Sequence, residues 1–303
     1  MVHTPAPLIT VTIKEETTLA AYLSRRGYRS NRIRQLLKFR AIAVNGATVT
    51  RYDHPLVPGD ELVISPTEQG RVEDILRKSH IALLYEDDAL IVIDKPPGLL
   101  SIGTERERTR TAYYQLNEYL KERAPERQER IFIVHRTDRE TSGLLVFAKS
   151  ERVKRALQQH WNNVDKRYLA VIEGVPRRKE DTIALPLRES KALKVHAARD
   201  DDEARSAVTR YRTLRAGHDY ALLELALDTG RKNQIRVHLA QIGHPVAGDK
   251  KYGARTDPFG RLALHAHQLA FKHPVTGKPL RFRSELPWSF EKVVKTMKKA
   301  PLP

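Results

Sequence analysis

Residues 131–148 read IFIVHRTDRETSGLLVFA and are the most informative part of this chain for its fold. Its polar centre, His135–Gly143, lies between two apolar segments that favour burial, so the pattern predicts a charged loop at the mouth of a core. A carboxylate at Asp138 would be partly desolvated there, which suits a reactive acid if a cation lies beside it. A surface turn with a helix cap at Asp138 or Thr141 fits the same spacing equally well.

A second polar stretch lies further along the chain, at residues 225–243, LALDTGRKNQIRVHLAQIG. It predicts a strand, a glycine turn and a helix that Gly243 ends. Three basic residues lie near the start of that helix: Arg231, Lys232 and Arg236. The helix dipole is already positive there, so the arrangement is unfavourable unless an anion is present. An RNA phosphate and a buried carboxylate are the two candidates, and an ordinary surface helix start is the alternative.

Tyr168 lies in a third stretch, residues 166–174, which read KRYLAVIEG and predict a strand. By alternation Tyr168 shares a face with Ala170 and Ile172. A tyrosine in such a position belongs to the core more often than to an active site.

Residues 17–65 predict a small module of two helices, a hairpin with an Asn45-Gly46 turn, and a further strand over 61–64. Seven basic and no acidic residues lie between positions 25 and 40: Arg25, Arg26, Arg29, Arg32, Arg34, Lys38 and Arg40. A solvated helix face usually mixes both signs, so a face of one sign suits a phosphate backbone. A helix that is basic only for solubility is the alternative.

Three short motifs in this module carry a family resemblance: RRGYRSNR at 25–32, AVNG at 43–46 and VPGDEL at 57–62. Together they resemble the S4 RNA-binding domain. The resemblance implies that the module binds structured RNA, with six residues as the contact face: Arg25, Arg26, Arg29, Arg32, Arg34 and Lys38.

The composition of the whole chain points the same way. The 303 residues carry 54 Lys and Arg against 37 Asp and Glu, a net charge of +17, which favours a polyanionic partner. The absence of cysteine excludes disulfides, thiolate metal sites and a cysteine nucleophile. No apolar run approaches the ~20 residues of a membrane span, and the N-terminus does not resemble a signal peptide, so a cytoplasmic protein is expected.

The order of elements predicts the fold class. Strand-like runs outnumber helices in residues 81–303 and do not alternate with them, which indicates an α+β fold with a mixed, mainly antiparallel sheet and flanking helices. The predicted organisation has four parts: an N-terminal extension at 1–16, the S4-like module at 17–65, a linker at 66–80 and a catalytic domain at 81–303.

The three polar stretches together resemble the RluA family of RNA pseudouridine synthases. Residues 135–149 match the motif H-R-L-D-x-x-T-S-G-L-L-V-F-A-K, with Thr137 in place of Leu. Residues 166–174 match the family's tyrosine strand, and residues 229–253 match its T-G-R-x-H-Q-I-R helix motif, with Asn233 in place of His. The ordered matches span nearly all of residues 81–296.

The resemblance implies roles for particular residues. Asp138 is the catalytic carboxylate, Arg236 pairs with it and keeps it ionised, and Tyr168 stacks on the target base and helps to move the proton from C5. Arg136 fills the gap that the flipped uridine leaves in the RNA stack. Four further residues are expected to bind substrate: His135, Thr141, Arg231 and Gln234.

The implied reaction turns uridine into pseudouridine and needs no cofactor or metal. His265 and His267 have a spacing seen in metal sites, but no third ligand follows them. Large-subunit (23S) ribosomal RNA is the favoured substrate and transfer RNA the alternative. A non-enzymatic RNA-binding protein in ribosome assembly is the competing class, and a monomer is expected.

Overall fold

A computed structural model describes most of the chain: residues 9–38, 41–64, 75–123, 129–190, 194–198 and 203–299. Residues 1–8 of the predicted extension, Phe39, Arg40 and residues 66–74 of the predicted linker lie outside this part, as do the side chains of Arg32 and Lys38. The chain divides into two compact units. Unit 1 comprises Met1–Ser79 and Gln115–Glu129, and unit 2 comprises His80–Tyr114 and Arg130–Pro303.

Unit 1 contains the predicted pair of helices and the hairpin. Thr18 caps α1 (Leu19–Arg25) by accepting a hydrogen bond from the Ala21 amide, and α2 (Ser30–Lys38) follows after Gly27. The described strands of the unit are β1 (Ile9–Thr12), β2 (Thr17–Thr18), β3 (Ile42–Val44), β4 (Ala47–Thr48), β5 (Pro55–Leu56) and β6 (Glu61–Ile64).

The core of unit 1 forms where the apolar faces of both helices meet a small antiparallel sheet. The sheet has the order β1-β6-β3-β4, and β2 pairs separately with β5. Leu19 and Leu23 of α1, Ile33 of α2 and Leu62 of β6 are completely buried, so helical and strand periodicities converge on one cluster.

The described strands of unit 2 are β7 (Ala82–Glu86), β8 (Leu90–Lys95), β9 (Phe132–Ile133), β10 (Ser142–Ala148), β11 (Asp165–Glu173), β12 (Glu180–Ala184), β13 (Leu187–Glu189), β14 (Val195–Ala197), β15 (Val208–Ala216), β16 (Tyr220–Leu227), β17 (Leu264–Lys272), β18 (Pro279–Arg283) and β19 (Lys298–Lys299). Most of them form one large sheet with the order β12-β15-β16-β11-β17-β10-β8-β7. Within the described residues, β9 adds to β10, β18 to β17 and β19 to β15, and the only parallel pair is β10 with β17. The predicted α+β class with a mixed, mainly antiparallel sheet is confirmed.

Helices are fewer than strands, as predicted. Within the described residues, a short helical segment at 75–78 precedes four longer α-helices: α3 (Ala112–Arg123), α4 (Glu151–Gln159), α5 (Gln234–Gln241) and α6 (Trp288–Lys295). None of the helices in the described part of the chain combines the length and hydropathy needed to cross a bilayer.

Sheet register brings the three polar stretches together. Gly143 of β10 lies beside Ala266 of β17, Ala266 lies beside Tyr168 of β11, and Tyr168 lies beside Leu225 of β16. Gly143 has a φ of 105°, and a Cβ there would be 2.3 Å from the Ala266 carbonyl oxygen, so only glycine permits this close pairing. The loop before β10, the tyrosine on β11 and the helix after β16 therefore converge on one region.

Candidate active site

The loop that carries Asp138 is held by the turn after β8. Lys95 is completely buried, and its Nζ donates hydrogen bonds to the carbonyl oxygens of Pro96, Leu99 and Arg139 at 2.8–3.1 Å. Burial lowers the pKa of Lys95 to about 7, against the opposing effect of nearby Glu140. This lysine therefore ties two loops together beside the candidate carboxylate.

Arg236, in the first turn of α5, binds two carboxylates at once. Its Nη1 donates to Asp138 Oδ2 at 3.0 Å. Its Nε and Nη2 donate to the two oxygens of Asp249, both at 2.7 Å. Asp249 is buried, whereas the side chain of Asp138 is 26% exposed. Burial opposes the charge on Arg236 and is the largest single effect, but the hydrogen bonds and negative charges of Asp249 and Asp138 together outweigh it and raise the pKa of the guanidinium.

Two further side chains hold Arg236 in place. Its guanidinium carbon lies 5.0 Å from the centre of the Tyr252 ring, a cation–π contact. The Tyr252 hydroxyl accepts a hydrogen bond from Asn233 Nδ2 at 2.8 Å, and Asn233 Oδ1 accepts one from Arg236 at 3.3 Å. Asn233 has a φ of 54°, a left-handed conformation that asparagine tolerates. Asn233, which differs from the family pattern, is thus one of the residues that orient Arg236.

These contacts identify the anion that the basic helix start requires. It is a pair of carboxylates, Asp249 and Asp138, so for Arg236 the buried-carboxylate alternative is the one observed. Lys232 pairs instead with Glu189, and Arg231 donates to the Ser206 carbonyl. Sequence reasoning missed Asp249. The available signal was an acidic residue directly after Gly248 within the matched helix motif.

Tyr168 is half-buried and packs against two core clusters while its edge lines the cleft. Burial and the negative charge of Asp138 raise the pKa of its phenol to about 12. Its strand shows a register shift against β17 at Arg167 and Tyr168, the kind of irregularity that often re-aims a side chain beside an active site. Tyr168 therefore packs in the core and also borders the cleft.

A single cleft brings most of the predicted site residues together. Seven of them line it: Arg136, Asp138, Thr141, Tyr168, Arg231, Gln234 and Arg236. Arg136 is exposed at the rim, and no partner for its side chain occurs among the described residues. Thr141 is buried, and its amide donates to the Asp138 carbonyl, which closes the turn.

His135 is the exception, because the structure places it outside the cleft. Its ring stacks on Trp161 with centroids 4.4 Å apart, and its Nε2 accepts a hydrogen bond from the Val146 amide at 3.1 Å. Burial lowers its pKa to about 3, so the ring is neutral. In this conformation the imidazole anchors the loop to β10, and its contact with substrate stays a prediction.

Gln234 lines the cleft but its amide is saturated by protein groups. The Oε1 atom accepts from the Thr229 hydroxyl and the Arg231 amide, and the Nε2 atom donates to the Val208 carbonyl and the Thr209 hydroxyl. All four hydrogen-bonding positions are occupied, which leaves none for a substrate. This side chain fixes the turn before α5 against β15, and direct substrate binding by Gln234 stays a prediction.

The predicted basic face of unit 1 is less uniform than its sequence indicates. Arg25 pairs with Glu15 and also donates to Thr17 at 2.7 Å. Arg26 and Arg34 lie over the rings of Tyr22 and Tyr52, at 5.4 and 5.7 Å from their centres, and Arg29 is exposed. Positions 25 to 40 contain no acidic residue, but the fold brings Glu15 to this face from ten positions upstream of Arg25.

The histidine pair raised as a metal candidate has protein partners. His265 Nδ1 lies 2.9 Å from the Ser142 hydroxyl, and His267 Nδ1 lies 2.5 Å from the Ser284 carbonyl oxygen. Across the described residues, no group of three or more His, Cys, Asp or Glu side chains is arranged to hold a metal ion.

Comparison with known proteins gives the class to which this fold and site belong. Residues 89–241 match the family described as RNA pseudouridylate synthase. An uncharacterized RNA pseudouridine synthase of Bacillus subtilis (strain 168), YlyB, is 32% identical over 271 residues, covering 88% of this chain and 89% of the relative. Ribosomal large subunit pseudouridine synthase D of Vibrio cholerae serotype O1 is 33% identical over 285 residues, covering 85% and 83%.

A solved structure agrees with these matches. Human RNA Pseudouridylate Synthase Domain Containing 4 superposes with a TM-score of 0.61 at 26% identity, covering 75% of this chain and 96% of that one. The chain therefore belongs to the RNA pseudouridine synthase family and is an isomerase that acts on RNA.

Proposed function

We propose that this enzyme converts a specific uridine of large-subunit (23S) ribosomal RNA to pseudouridine, with Asp138 as its catalytic carboxylate. The observation that carries the proposal is the pair of contacts on Arg236, which binds Asp138 at 3.0 Å and the buried Asp249 on its other side. The ribosomal substrate is supported by relatives named ribosomal large subunit pseudouridine synthase D, from Vibrio cholerae and Pasteurella multocida.

The proposed reaction is an isomerisation. The N1–C1′ bond of uridine breaks, a C5–C1′ bond forms, C5 loses its proton and N1 gains one, so no electrons leave the substrate. One carboxylate suffices, acting as a nucleophile at C1′ or as a base at C2′. Arg236 holds Asp138 at the cleft surface, while Asp249 fixes the guanidinium from below. In this proposal the two contacts of Arg236 hold the reactive carboxylate of Asp138 in position before the substrate binds.

Tyr168 is proposed to stack against the flipped uracil. With its pKa raised to about 12, the phenol is protonated at neutral pH. A protonated phenol donates a hydrogen bond but is a poor base in the ground state. The raised pKa therefore favours a role in stacking over direct removal of the C5 proton.

Arg136 is proposed to take the place of the flipped base in the RNA stack. Its side chain is exposed at the rim of the cleft, two positions before Asp138. Extracting a base costs a few kcal/mol, and a planar guanidinium that enters the vacated space offsets part of that cost.

We further propose that the enzyme is of the RluA type and that residues 17–65 form an S4-like RNA-binding domain, separate from the catalytic domain at 81–303. The motifs at 25–32, 43–46 and 57–62 and the arginines of α1 and α2 support this. A cytoplasmic location fits the bacterial relatives. A monomer is sufficient, because one chain supplies every group proposed for the cleft.

The experiment that tests the proposal maps pseudouridine by carbodiimide-dependent primer-extension stops across all stable RNAs. Three strains are compared: wild type, a deletion strain and one that carries Asp138→Asn. We expect one or more stops in large-subunit ribosomal RNA to vanish in both altered strains. Immunoblotting shows that the variant accumulates to the wild-type level.

Each other outcome overturns a defined part of the proposal. A stop that survives Asp138→Asn but not deletion rejects Asp138 as the catalytic group. A stop that vanishes from transfer RNA instead rejects the ribosomal substrate. Unchanged stops in every stable RNA favour the non-enzymatic role in ribosome assembly.

A further inference from the structure

A second cavity lies in unit 2, on the loop that joins β8 to α3. It has a volume of about 370 Å³, which falls in the range of about 300–1,000 Å³ for small-ligand clefts. Seven residues line it: Ile102, Gly103, Thr104, Glu105, Arg108, Tyr113 and Tyr114. Residues of the main cleft do not overlap with this set.

The loop is rigid at its base. The Ala112 amide donates to the Leu100 carbonyl at 2.7 Å, and the Tyr113 amide donates to the Ser101 carbonyl at 3.1 Å. Inside the loop, Thr104 and Glu107 exchange two further hydrogen bonds. Compact surface loops of this kind, with closed ends and internal contacts, frequently carry function.

The wall of the cavity is aromatic and its rim is charged. Tyr114 stands on the first turn of α3, where its amide donates to Thr111 Oγ1 at 3.1 Å, and the residue is 38% exposed. Ile102 adds an apolar surface that is 37% exposed. Arg108 and Glu105 are exposed, and no hydrogen bond or ion pair of either side chain occurs within the described part of the chain.

This loop is attached directly to the loop that carries Asp138. Ser101 Oγ donates to the Thr137 carbonyl at 2.9 Å and accepts from the Thr137 amide at 3.1 Å. The Thr137 hydroxyl lies 3.3 Å from Ser101 Oγ. It donates to that oxygen, because Ser101 already donates its single hydroxyl proton to the Thr137 carbonyl. Ile102, the next residue, lines the second cavity, so that cavity lies on a loop that is hydrogen-bonded to the loop carrying Arg136 and Asp138.

We propose that this cavity binds an unpaired nucleobase of the substrate RNA that neighbours the target uridine. The inference rests on the proposed function. A base would stack on Tyr114, because every nucleobase presents a π-face and stacking tolerates any sequence. Glu105 accepts hydrogen bonds from the amino or imino groups of a base, and Arg108 binds its phosphate or stacks on its other face. The site thus contributes to the choice of uridine by holding its sequence context.

The test uses full-length protein and a synthetic RNA stem-loop that carries the mapped uridine. Each nucleotide that flanks the uridine is replaced in turn by an abasic residue. Dissociation constants are measured for four proteins: wild type, Tyr114→Ala, Tyr114→Phe and, as a matched control outside the cavity, Trp288→Ala, which removes an aromatic side chain that is 71% exposed. Thermal melting checks that all variants are folded.

For the wild type we expect one abasic position to raise the dissociation constant about 5- to 150-fold, the equivalent of removing one base–aromatic stack. Tyr114→Ala should raise it similarly with intact RNA and show no further weakening at that abasic position. Tyr114→Phe, which keeps the ring, and Trp288→Ala should behave like wild type.

The proposal is overturned if Tyr114→Ala binds intact RNA as tightly as wild type, or if abasic substitution weakens both proteins equally. Failure of the proposed function is read separately, from the wild type alone. In that case the wild-type enzyme forms no pseudouridine in the stem-loop, whatever the behaviour of the Tyr114 variants.

Discussion

The main cleft of unit 2 and the basic face of unit 1 both present arginines, but they hold them differently. Arg236 is 14% exposed at its side chain and is held by two carboxylates, an amide and an aromatic ring. On unit 1, Arg26 and Arg34 lie over tyrosine rings at an exposed surface, and the side chain of Arg25 is 55% exposed beside Glu15.

The position of a charged side chain therefore determines how strongly and how directionally it interacts with its neighbours. In a desolvated cleft a single guanidinium interacts strongly and directionally, so it can orient one carboxylate. At an exposed surface each charge is screened by water and salt and contributes little alone. Such a surface acts through the sum of its charges, which suits binding to a phosphate backbone.

The largest effect is expected from Asp249→Asn. The substitution leaves Arg236 buried without its bidentate partner, which should lower the free energy of unfolding of unit 2 by about 3–5 kcal/mol and reduce turnover at least tenfold. Urea unfolding followed by tryptophan fluorescence measures the first quantity, and both tryptophans, Trp161 and Trp288, lie in unit 2.

The matched control for that variant is Asp53→Asn, which breaks an exposed pair with Arg51 in unit 1. Its unfolding is followed by far-UV circular dichroism, because both tryptophans lie in unit 2. We expect no measurable change in unfolding. If Asp249→Asn were equally silent, the cleft arginine would not depend on its buried partner, and the contrast between the two regions would disappear.

An intermediate effect on the free energy of unfolding is expected when the pH is lowered. Burial lowers the pKa of His135 to about 3 and that of His265 to about 4, whereas an unfolded histidine titrates near pH 6.5. Between these values the unfolded chain binds more protons than the folded one. Stability from these groups is therefore complete above pH 6.5 and declines as pH falls, by about 2 kcal/mol per histidine between pH 7 and pH 5.

Urea unfolding of wild type and His135→Gln at pH 7 and pH 5 measures this decline. The variant should be less stable than wild type at pH 7, but its stability should fall by about 2 kcal/mol less on going to pH 5. An identical pH dependence in both proteins would show that His135 is not buried as a neutral ring.

The smallest effect is expected for arginine substitutions on unit 1, and it concerns the affinity for RNA. Replacing Arg29 and Arg34 by Glu should weaken RNA binding and flatten its salt dependence, by about one unit of the log–log slope for each phosphate that is no longer neutralised. Titrations at several salt concentrations measure both quantities. The charge-conserving pair Arg29→Lys and Arg34→Lys should keep the wild-type slope, and a Glu variant with that same slope would place RNA binding elsewhere.

Local patterns predicted the secondary structure well. The strand predicted over 61–64 is observed at Glu61–Ile64, and the predicted Asn45-Gly46 turn joins β3 to β4. Strand alternation and helix periodicity are properties of neighbouring residues, so the linear sequence contains them. Local patterns do not show what a single side chain contacts: His135 and Gln234 are both polar and both lie in motifs, and the fold gives both of them protein partners.

Three ordered motifs were enough to indicate the class of protein, and they identified Asp138, Tyr168 and Arg236 as candidates although two of them are 98 positions apart. Which anion lies beside Arg236 and which groups His135 contacts became visible in the folded chain. Folding also brought Glu15 to the basic face. The reason is physical: a charge acts on whatever lies within a few ångströms, and sheet register and packing, not spacing along the chain, decide what that is.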